Sequence, residues 1–262
     1  MSGSRFLVKE LRRLREAAAL SQEAWGERVH FSASHVGSVE RGERPVLPDY
    51  LRAVDKAFGT ALVEFYVEFV VGEQTPVWLR PFIEHEGRAT LLRVYQPLLI
   101  PGLLQTEAYA QAVITRYGRQ GKAAATALAG RLARQEILYR EDPEPCRLVA
   151  VIDENVLRCR AGVAAVMRDQ MKALVSANER PNITVQVIPS DVGVHPGMDG
   201  PFALATVDGR SVGYAEGQLL GRVVESPDAT AELEQVWESI REYALPSHQS
   251  QELIMRTAET WT

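Results

Sequence analysis

The first seventy residues carry apolar positions at the spacing of short α-helices. Leu7, Leu11 and Leu14 recur three and four residues apart, with arginines on the opposite face, which predicts an amphipathic first helix. Further short apolar patterns follow, separated by turn residues, as far as Gly72. Residues 1–72 therefore predict an all-α domain of five consecutive helices.

The connection between the second and third predicted helices is unusually short. Ser21 and Ser32 are candidate N-caps, because a serine hydroxyl can accept from the first free backbone N–H groups. Only about three or four residues separate Val29 from the body of the next helix. Two helices joined this tightly cross at a steep angle, and Gly26 would permit their close contact. The spacing predicts a helix-turn-helix.

Beyond a polar run with glycine and proline at residues 72–76, the pattern mixes strands and helices. The continuous apolar run at 147–153 predicts a strand buried on both faces. Other strands are predicted at 91–95, 183–188, 202–207 and 212–216, the last two around the turn Asp208-Gly209. Helices are predicted at 78–89 (broken by Pro81), from Thr106, and at 122–139, 163–177, 229–243 and 247–260. The fold prediction is an all-α helix-turn-helix domain followed by a larger α+β domain over 76–262.

Composition and charge narrow the function classes. The chain is 46% hydrophobic and 24% charged, which excludes a disordered, collagenous or coiled-coil protein. The net charge of −5 excludes a uniformly basic nucleic-acid coat but not a local DNA-reading patch. Residues 1–45 hold eight basic and six acidic residues, a balance of only +2. We expect a homodimer, since two units would double the phosphate contacts.

Several other site classes are not expected. Cys146 and Cys159 are too few for a disulfide framework, and no histidine pairs with a cysteine at zinc spacing. No segment approaches the roughly 18 apolar residues of a membrane helix, and the arginine-rich N-terminus lacks the apolar stretch of a signal peptide. The expectation is a cytoplasmic protein, associated with the nucleoid when on DNA, with no membrane contact, metal or cofactor.

Two segments carry a family resemblance. LREAAALSQE at 14–23 and SASHVGSVERG at 32–42 resemble the Cro/lambda-repressor-like, or XRE-type, helix-turn-helix family. The resemblance implies binding of double-stranded DNA. It places Ala33, Ser34 and Ser38 at base edges, and Glu40 and Gly42 in structural roles that tie the helix end to the following loop. The other implied DNA-binding residues lie near phosphates or at the start of the reading helix. The full set is Arg12, Arg15, Gln22, Ser32, Ala33, Ser34, His35, Ser38 and Arg41.

This sequence departs from the family pattern at three positions. Trp25 replaces the usual leucine and His30 replaces the usual glycine of the turn. Gly37 lies in mid-helix, at a cost of about 1 kcal/mol against alanine, and either lets the helix approach DNA closely or is only a weak spot. Because the base-facing side chains are small, specificity is expected to rest on DNA shape, water or a second half-site.

The second domain carries its own resemblance. PLLIPGLLQTEAYA at 97–110 resembles a domain of unknown function that follows the helix-turn-helix in actinobacterial regulators. Motifs at 134–136, 153–158, 179–187 and 195–202 agree, so the whole chain is similar to WhiJ-type regulators of streptomycetes. The resemblance implies control of development or secondary metabolism, and a small partner protein encoded nearby.

The sequence gives only a weak indication of catalysis in the second domain. Glu154, His195 and Asp199 suggest acid/base work, but no nucleophile, phosphate-loop or metalloprotease motif accompanies them, so no enzyme is expected. The apolar segment 98–104 is either a core-packing loop or, if exposed, a partner site. The candidate ligand- or partner-binding residues are Leu99, Leu103, Leu104, His195 and Asp199.

Three functions remain open. The leading hypothesis is a sequence-specific transcriptional repressor whose second domain senses a small partner protein or ligand. The alternative is an antitoxin-like protein that sequesters a small partner and regulates its own operon. The third is an enzyme with an accessory DNA-binding domain, which a polar pocket joining Glu154, His195 and Asp199 would favour.

Overall fold

The structure, a computed structural model, describes residues 3–44, 46–66, 79–217 and 221–262. The chain divides into two compact units, the first formed by residues 1–75 and 118–134 and the second by residues 76–117 and 135–262. The second unit differs from the predicted domain over 76–262, since residues 118–134 group with the first unit. The predicted linker at 72–76 lies outside the described residues.

The helices and strands are as follows. The helices are α1 (Gly3–Ala17), α2 (Gln22–Val29), α3 (Ala33–Glu40), α4 (Pro48–Phe58), α5 (Leu62–Phe65), α6 (Arg80–Arg88), α7 (Glu107–Arg116), α8 (Gly121–Arg134), α9 (Glu154–Arg158), α10 (Ala164–Asn178), α11 (Pro227–Arg241) and α12 (Ser247–Thr260). The strands are β1 (Leu91–Gln96), β2 (Arg147–Asp153), β3 (Ile183–Ile188), β4 (Phe202–Val207), β5 (Arg210–Ala215) and β6 (Arg222–Val224).

The first unit has one apolar core, to which helices α1 to α5 and α8 contribute. Leu7 and Leu11 of α1 are fully buried, as the amphipathic pattern predicts. Trp25 stacks on Phe58 with ring centroids 4.2 Å apart, and its indole N–H donates to the Tyr50 hydroxyl at 2.9 Å. The buried alanines of α8 belong to the same core. The five predicted N-terminal helices are confirmed, with α5 described only as far as residue 66.

The second unit is built on a six-stranded mixed sheet of order β3-β2-β1-β4-β5-β6. Strands β1, β2 and β3 are parallel, whereas β4, β5 and β6 are antiparallel to their neighbours. The middle of β2 is buried on both faces, which confirms the prediction from its continuous apolar run. The turn at Asp208-Gly209 is also confirmed, with both residues at positive φ. The three-residue β6 escaped prediction because it is too short to show a pattern.

Two helix predictions need correction, and one helix was missed. Pro81 lies in the first turn of α6 and does not break a helix, because proline lacks an N–H that this position leaves unbonded anyway. The helix predicted at 122–139 ends at Arg134, and a 3₁₀ turn at Gln135–Leu138 follows. Helix α9 was not predicted, because five residues hold too little of a helical period.

The β3 edge of the sheet is closed by side chains. The Val187 N–H donates to the Ser250 hydroxyl at 3.0 Å, and the Val185 N–H donates to Asn178 Oδ1 at 2.7 Å. These bonds take the donors that an added strand would need. Within the described ranges, no helix has the length and apolar character needed to cross a membrane.

Candidate functional site

The turn between α2 and α3 is held by two serine caps and a glycine. Ser21 accepts from the Ala24 N–H and Ser32 from the His35 N–H, each at 3.1 Å, so both predicted caps are present. A Cβ on Gly26 would lie 2.4 Å from the carbonyl oxygen of residue 31. The close helix contact predicted from Gly26 is therefore confirmed. His30 adopts the left-handed conformation, with φ 59°, at the position where the family pattern has glycine.

Glu40 at the end of α3 accepts hydrogen bonds from two of the residues expected at DNA phosphates. Arg15 forms a bidentate ion pair with it, in which Nε donates to Oε1 at 2.6 Å and Nη2 donates to Oε2 at 3.0 Å. Gln22 Nε2 donates to the same Oε2 at 2.8 Å. Burial alone would raise the pKa of Glu40, but the bonds from Arg15 and Gln22 outweigh it and hold that pKa below its usual value.

Arg15, Gln22 and Glu40, here called the Glu40 cluster, connect three helices of the first unit. Glu40 joins α3 to α1 and α2, whereas the sequence predicted a tie to the following loop. Gly42 does end the helix in the predicted left-handed conformation, with φ +72°. The Arg15 side chain is only 13% exposed, so it supports the helix-turn-helix from within. The phosphate contacts proposed for Arg15 and Gln22 remain predictions.

The exposed face of α3 carries small side chains followed by arginines. Ser34 is exposed, whereas Ala33 and Ser38 are partly buried. Arg41 is exposed and bonds Glu43 at 2.8 and 2.9 Å. On α1, the exposed Arg12 pairs with Glu16 at 2.8 Å. A DNA phosphate would therefore have to compete with, or add to, these carboxylate partners.

His35 is partly buried and its ring packs within the unit, and the phosphate contact expected of it stays a prediction. Its ring lies against Phe31 and Tyr50, with centroids 4.7 and 5.1 Å away. Arg44 Nη1 lies 3.0 Å from Nδ1, and because a guanidinium can only donate, that nitrogen is the acceptor. Arg44 is not in the DNA-binding set that the resemblance implies, although a second arginine three residues after Arg41 was a visible signal.

Acidification is expected to destabilise the first unit through His35. Burial, then the nearby charge of Arg44, lowers the pKa of His35. Its stabilising contribution is therefore complete above the usual pKa of about 6.5 and is lost as pH falls through the lower folded value. We expect a smaller loss of Tm between pH 7 and pH 5 in His35→Phe than in the parent chain. An equal loss in both would exclude His35 as the cause.

A cleft of about 240 Å³ opens in the second unit at the carboxyl ends of β2 and β3. Its lining residues are Asp153, Glu154, Asn155, Ile188, Pro189, Ser190, Gly193, Val194, His195 and Met198. Two of the three residues proposed for acid/base chemistry, Glu154 and His195, thus share one cleft. The third, Asp199, is exposed and does not line it. Asp153 was not predicted as a site residue.

The cleft contains a buried polar group built from three separate strands and loops. The His195 side chain is 3% exposed, and its Nε2 lies 3.5 Å from Asp153 Oδ1. The Tyr95 hydroxyl, on β1, donates to the same oxygen at 3.2 Å. The Gly197 N–H donates to His195 Nδ1 at 3.2 Å, which leaves the proton of the neutral ring on Nε2. Burial raises the pKa of Asp153 above its usual value, against the opposing effect of His195.

Glu154 is satisfied by its own neighbours. Arg158 Nη2 donates to its Oε1 at 2.8 Å, and the Ser190 N–H donates to its Oε2 at 3.0 Å. Burial acts to raise the pKa of Glu154, but these bonds prevail and lower it. Glu154 is therefore a carboxylate held in place at the cleft wall.

Comparison with known protein families matches two segments of the chain. Residues 7–65 match a family described as "Helix-turn-helix domain", and residues 79–256 match one described as "Domain of unknown function (DUF5753)". The chain belongs to the DUF5753 family. Searches of curated proteins and of solved structures find no match. The two predicted components, a helix-turn-helix and a domain of unknown function, are thus confirmed.

Within the DUF5753 domain, most of the apolar segment 98–104 packs into the core, although Leu98 is 64% exposed. Leu103 and Leu104 are buried, and Leu99 is partly buried against the same core. Gln170 Nε2 donates to the Leu104 carbonyl at 2.8 Å and fixes the segment from α10. These observations favour the packing interpretation, since the buried side chains of Leu103 and Leu104 are not available to a partner.

The DUF5753 domain offers little for metal chemistry in the part that the structure describes. No group of three or more histidine, cysteine or acidic side chains is placed to hold a metal ion there. Cys146 is buried and Cys159 is exposed, and both are free thiols. Burial raises the pKa of the Cys146 thiol to about 12, which makes it unreactive at neutral pH.

Proposed function

We propose that this chain is a sequence-specific transcriptional repressor, in which the helix-turn-helix binds operator DNA and the DUF5753 domain senses a small partner protein or ligand. The helix-turn-helix match is typical of a DNA-binding regulator. The observation that carries the proposal is the tight α2–α3 turn at Gly26, which presents the exposed face of α3. The resemblance to WhiJ-type regulators supports control of development or secondary metabolism.

Electrostatics favour a homodimer on two half-sites. The arginines near α3 have partners within the protein: Arg15 has Glu40, Arg41 has Glu43 and Arg44 has His35. Each unit therefore brings few cations to DNA, and affinity depends largely on the number of phosphates neutralised. Two units on one operator would double that number and would read a pseudo-palindromic site.

The small side chains on α3 suggest how the operator would be read. Serine hydroxyls bond to more than one base type, and Ala33 can touch only a thymine methyl group. Direct base contacts from Ala33, Ser34 and Ser38 would thus give modest discrimination. We infer that DNA shape and bridging water supply the rest of the specificity.

Sensing requires that a signal binds one state of the protein better than another. A partner or ligand on the DUF5753 domain that weakens DNA binding must itself be bound more weakly when DNA is present, by the same factor. An antitoxin-like protein would form a stoichiometric complex with its partner whether or not its operator is present. Partner affinity measured with and without operator DNA therefore separates the two roles.

The DNA contacts can be tested by anisotropy with the full chain and its own upstream DNA at 50 and 200 mM salt. Arg41→Ala and Arg44→Ala are each expected to weaken binding about tenfold, the loss of one charge-assisted contact. Each should also reduce the salt slope by about 0.9. Arg88→Ala is the matched control, because Arg88 is an exposed, carboxylate-paired arginine in the second unit. Parent-like affinity and slope in both test variants would refute the placement of DNA at the end of α3.

A further inference from the structure

We propose that the cleft at the carboxyl ends of β2 and β3 binds a small organic cation, a primary amine with a short apolar chain, with its ammonium group at Asp153. The site would be where the sensing proposed above occurs, and to that extent its biological role rests on the proposed function. Binding of the amine itself is a property of the cleft and needs no DNA.

The location is one where open sheets with parallel strands bind ligands. Ligands of such sheets occupy crevices outside the carboxyl ends of the strands. Here the cleft lies outside the carboxyl ends of the parallel strands β2 and β3, where Asp153 and Ile188 line it. The volume of about 240 Å³ is slightly below the range of typical drug-sized pockets, which limits the ligand to a small molecule.

Asp153 has an unused hydrogen-bonding capacity that a ligand could take. It occupies the N-cap position of α9, where an aspartate usually accepts from the helix N–H groups, yet its side chain makes no such bond. Tyr95 and His195 both approach Oδ1. Among the described residues, no donor bonds to Oδ2. The Asp153 side chain is only 16% exposed, and a bound cation would offset the cost of this partial burial.

The surrounding charges favour a cation over an anion. The lining contains two carboxylates and one histidine but no lysine or arginine. Arg158 reaches Glu154 from outside and is 52% exposed, so its charge is largely hydrated. His195 accepts from the Gly197 N–H at Nδ1 and presents Nε2 to Asp153 Oδ1. An ammonium group beside Asp153 would be attracted by the carboxylates of the lining, whereas a carboxylate ligand would be repelled by them.

Apolar side chains at the rim of the cleft favour a ligand that carries a short alkyl chain. Val194 is 86% exposed and Met198 is 59% exposed, although both are large hydrophobic residues that line the cleft. Ile188, the last residue of β3, and Pro189 after it also line the cleft. A short alkyl chain could cover this surface while its amine reaches Asp153. Such a pairing of apolar wall with one oriented polar group is typical of small-molecule sites.

The probe for this site is n-butylamine, titrated into the full chain while the Met198 ε-methyl resonance is followed by NMR and assigned with Met198→Leu. We expect a saturable shift with a Kd on the order of millimolar, as suits a ligand of five heavy atoms. Butyrate and 1-butanol have the same chain length without the positive charge, and neither should saturate in that range. No saturable shift with n-butylamine, or an equal response to 1-butanol, would overturn the proposal.

Two variants keep the test decisive. Asp153→Asn should weaken n-butylamine binding at least tenfold, with Asp208→Asn as the control at an exposed aspartate in the β4–β5 turn, beyond the opposite end of the sheet. If Asp153→Asn does not fold, Val194→Lys replaces it, since that exposed side chain contributes little to the core and its ammonium would repel the probe. Unchanged affinity in a folded variant would count against the site. DNA binding is measured separately, so its failure and the failure of the amine site are distinguishable.

Discussion

Replacing Gly26 with alanine is expected to destabilise the helix-turn-helix unit by about 3 kcal/mol and to abolish its DNA binding. The added Cβ would lie 2.4 Å from the Phe31 carbonyl oxygen and 3.3 Å from the Ala33 nitrogen. Both are backbone atoms of the turn, which cannot rotate away, and overpacking of this kind costs about 1–3 kcal/mol or more. Alanine gains only about 1 kcal/mol in helix propensity, too little to compensate.

Gly37→Ala is the matched control on the neighbouring helix. There the Cβ would meet the ends of two flexible side chains, Arg41 Nη1 at 2.9 Å and Gln22 Oε1 at 3.0 Å. These can move, so we expect the unit to stay folded and to gain up to about 1 kcal/mol. Thermal melts and hydrogen exchange of the peptides covering 21–44 measure both variants. A Gly26→Ala protein as stable as Gly37→Ala would show that the turn has more room than the structure gives it.

The same control decides between the two interpretations of Gly37. If it lets α3 approach DNA closely, Gly37→Ala should lose affinity while its fold is retained. If Gly37 is only a weak spot in the helix, affinity should be unchanged and stability should rise. The structure adds a third contribution, because the missing side chain leaves room for Gln22 and Arg41.

Local features of this chain could be predicted well from its sequence. The α2–α3 turn follows from the spacing of Ser21, Gly26 and Ser32, which lie within twelve residues of one another. Caps, turn glycines and the doubly buried β2 are likewise set by neighbours in the chain. Such features depend on short-range geometry, which the sequence specifies directly.

The cleft could not be predicted in the same way. Tyr95, Asp153 and His195 meet only because β1 pairs with β2 in one register and with β4 on its other side. No pattern within a single element indicates that strand order. Asp153 looked like an ordinary residue between a strand and a helix, and Asp199, only four residues from His195, lies outside the cleft.

Helix α8 shows a related limit. An amphipathic pattern indicates that one face is buried, but not which core receives it. Ala129 and Ala133 pack with the helix-turn-helix core, although their position in the sequence suggested the second domain. The Arg15–Glu40 pair was missed for the same reason, since 25 residues separate its members.

Replacing Glu40 with alanine is the second change with a large expected effect, a loss of about 3 kcal/mol in the stability of the first unit. The Glu40 side chain is 6% exposed and that of Arg15 is 13% exposed, so the variant would leave a guanidinium with little access to water and only the more distant carboxylate of Glu16, 3.9 Å away. Removing one member of a buried ion pair typically costs about 3–5 kcal/mol, mainly through the unpaired charge that remains. Glu16→Ala, which opens the exposed pair with Arg12, should cost under about 1 kcal/mol.

The pH dependence of Glu40 has a defined sign. Its folded pKa lies below the usual value of 4.5, so its contribution is complete above that pH and is lost as pH falls through the folded value. At neutral pH the full effect of Glu40→Ala should therefore be measurable by hydrogen exchange in α3. A loss no larger than that of Glu16→Ala would contradict a buried pair.

The double variant Arg15→Met with Glu40→Met separates packing from charge. It removes both charges together, and similar volumes of apolar side chain often replace a buried pair at little cost. We expect it to recover most of the stability that Glu40→Ala loses. Its DNA affinity then tests the role of Arg15 and Gln22, because Gln22 would keep its place on α2 but lose the bond that orients it. Recovered folding with weakened, less salt-sensitive binding would assign them to phosphates, whereas recovered binding would make the Glu40 cluster purely structural.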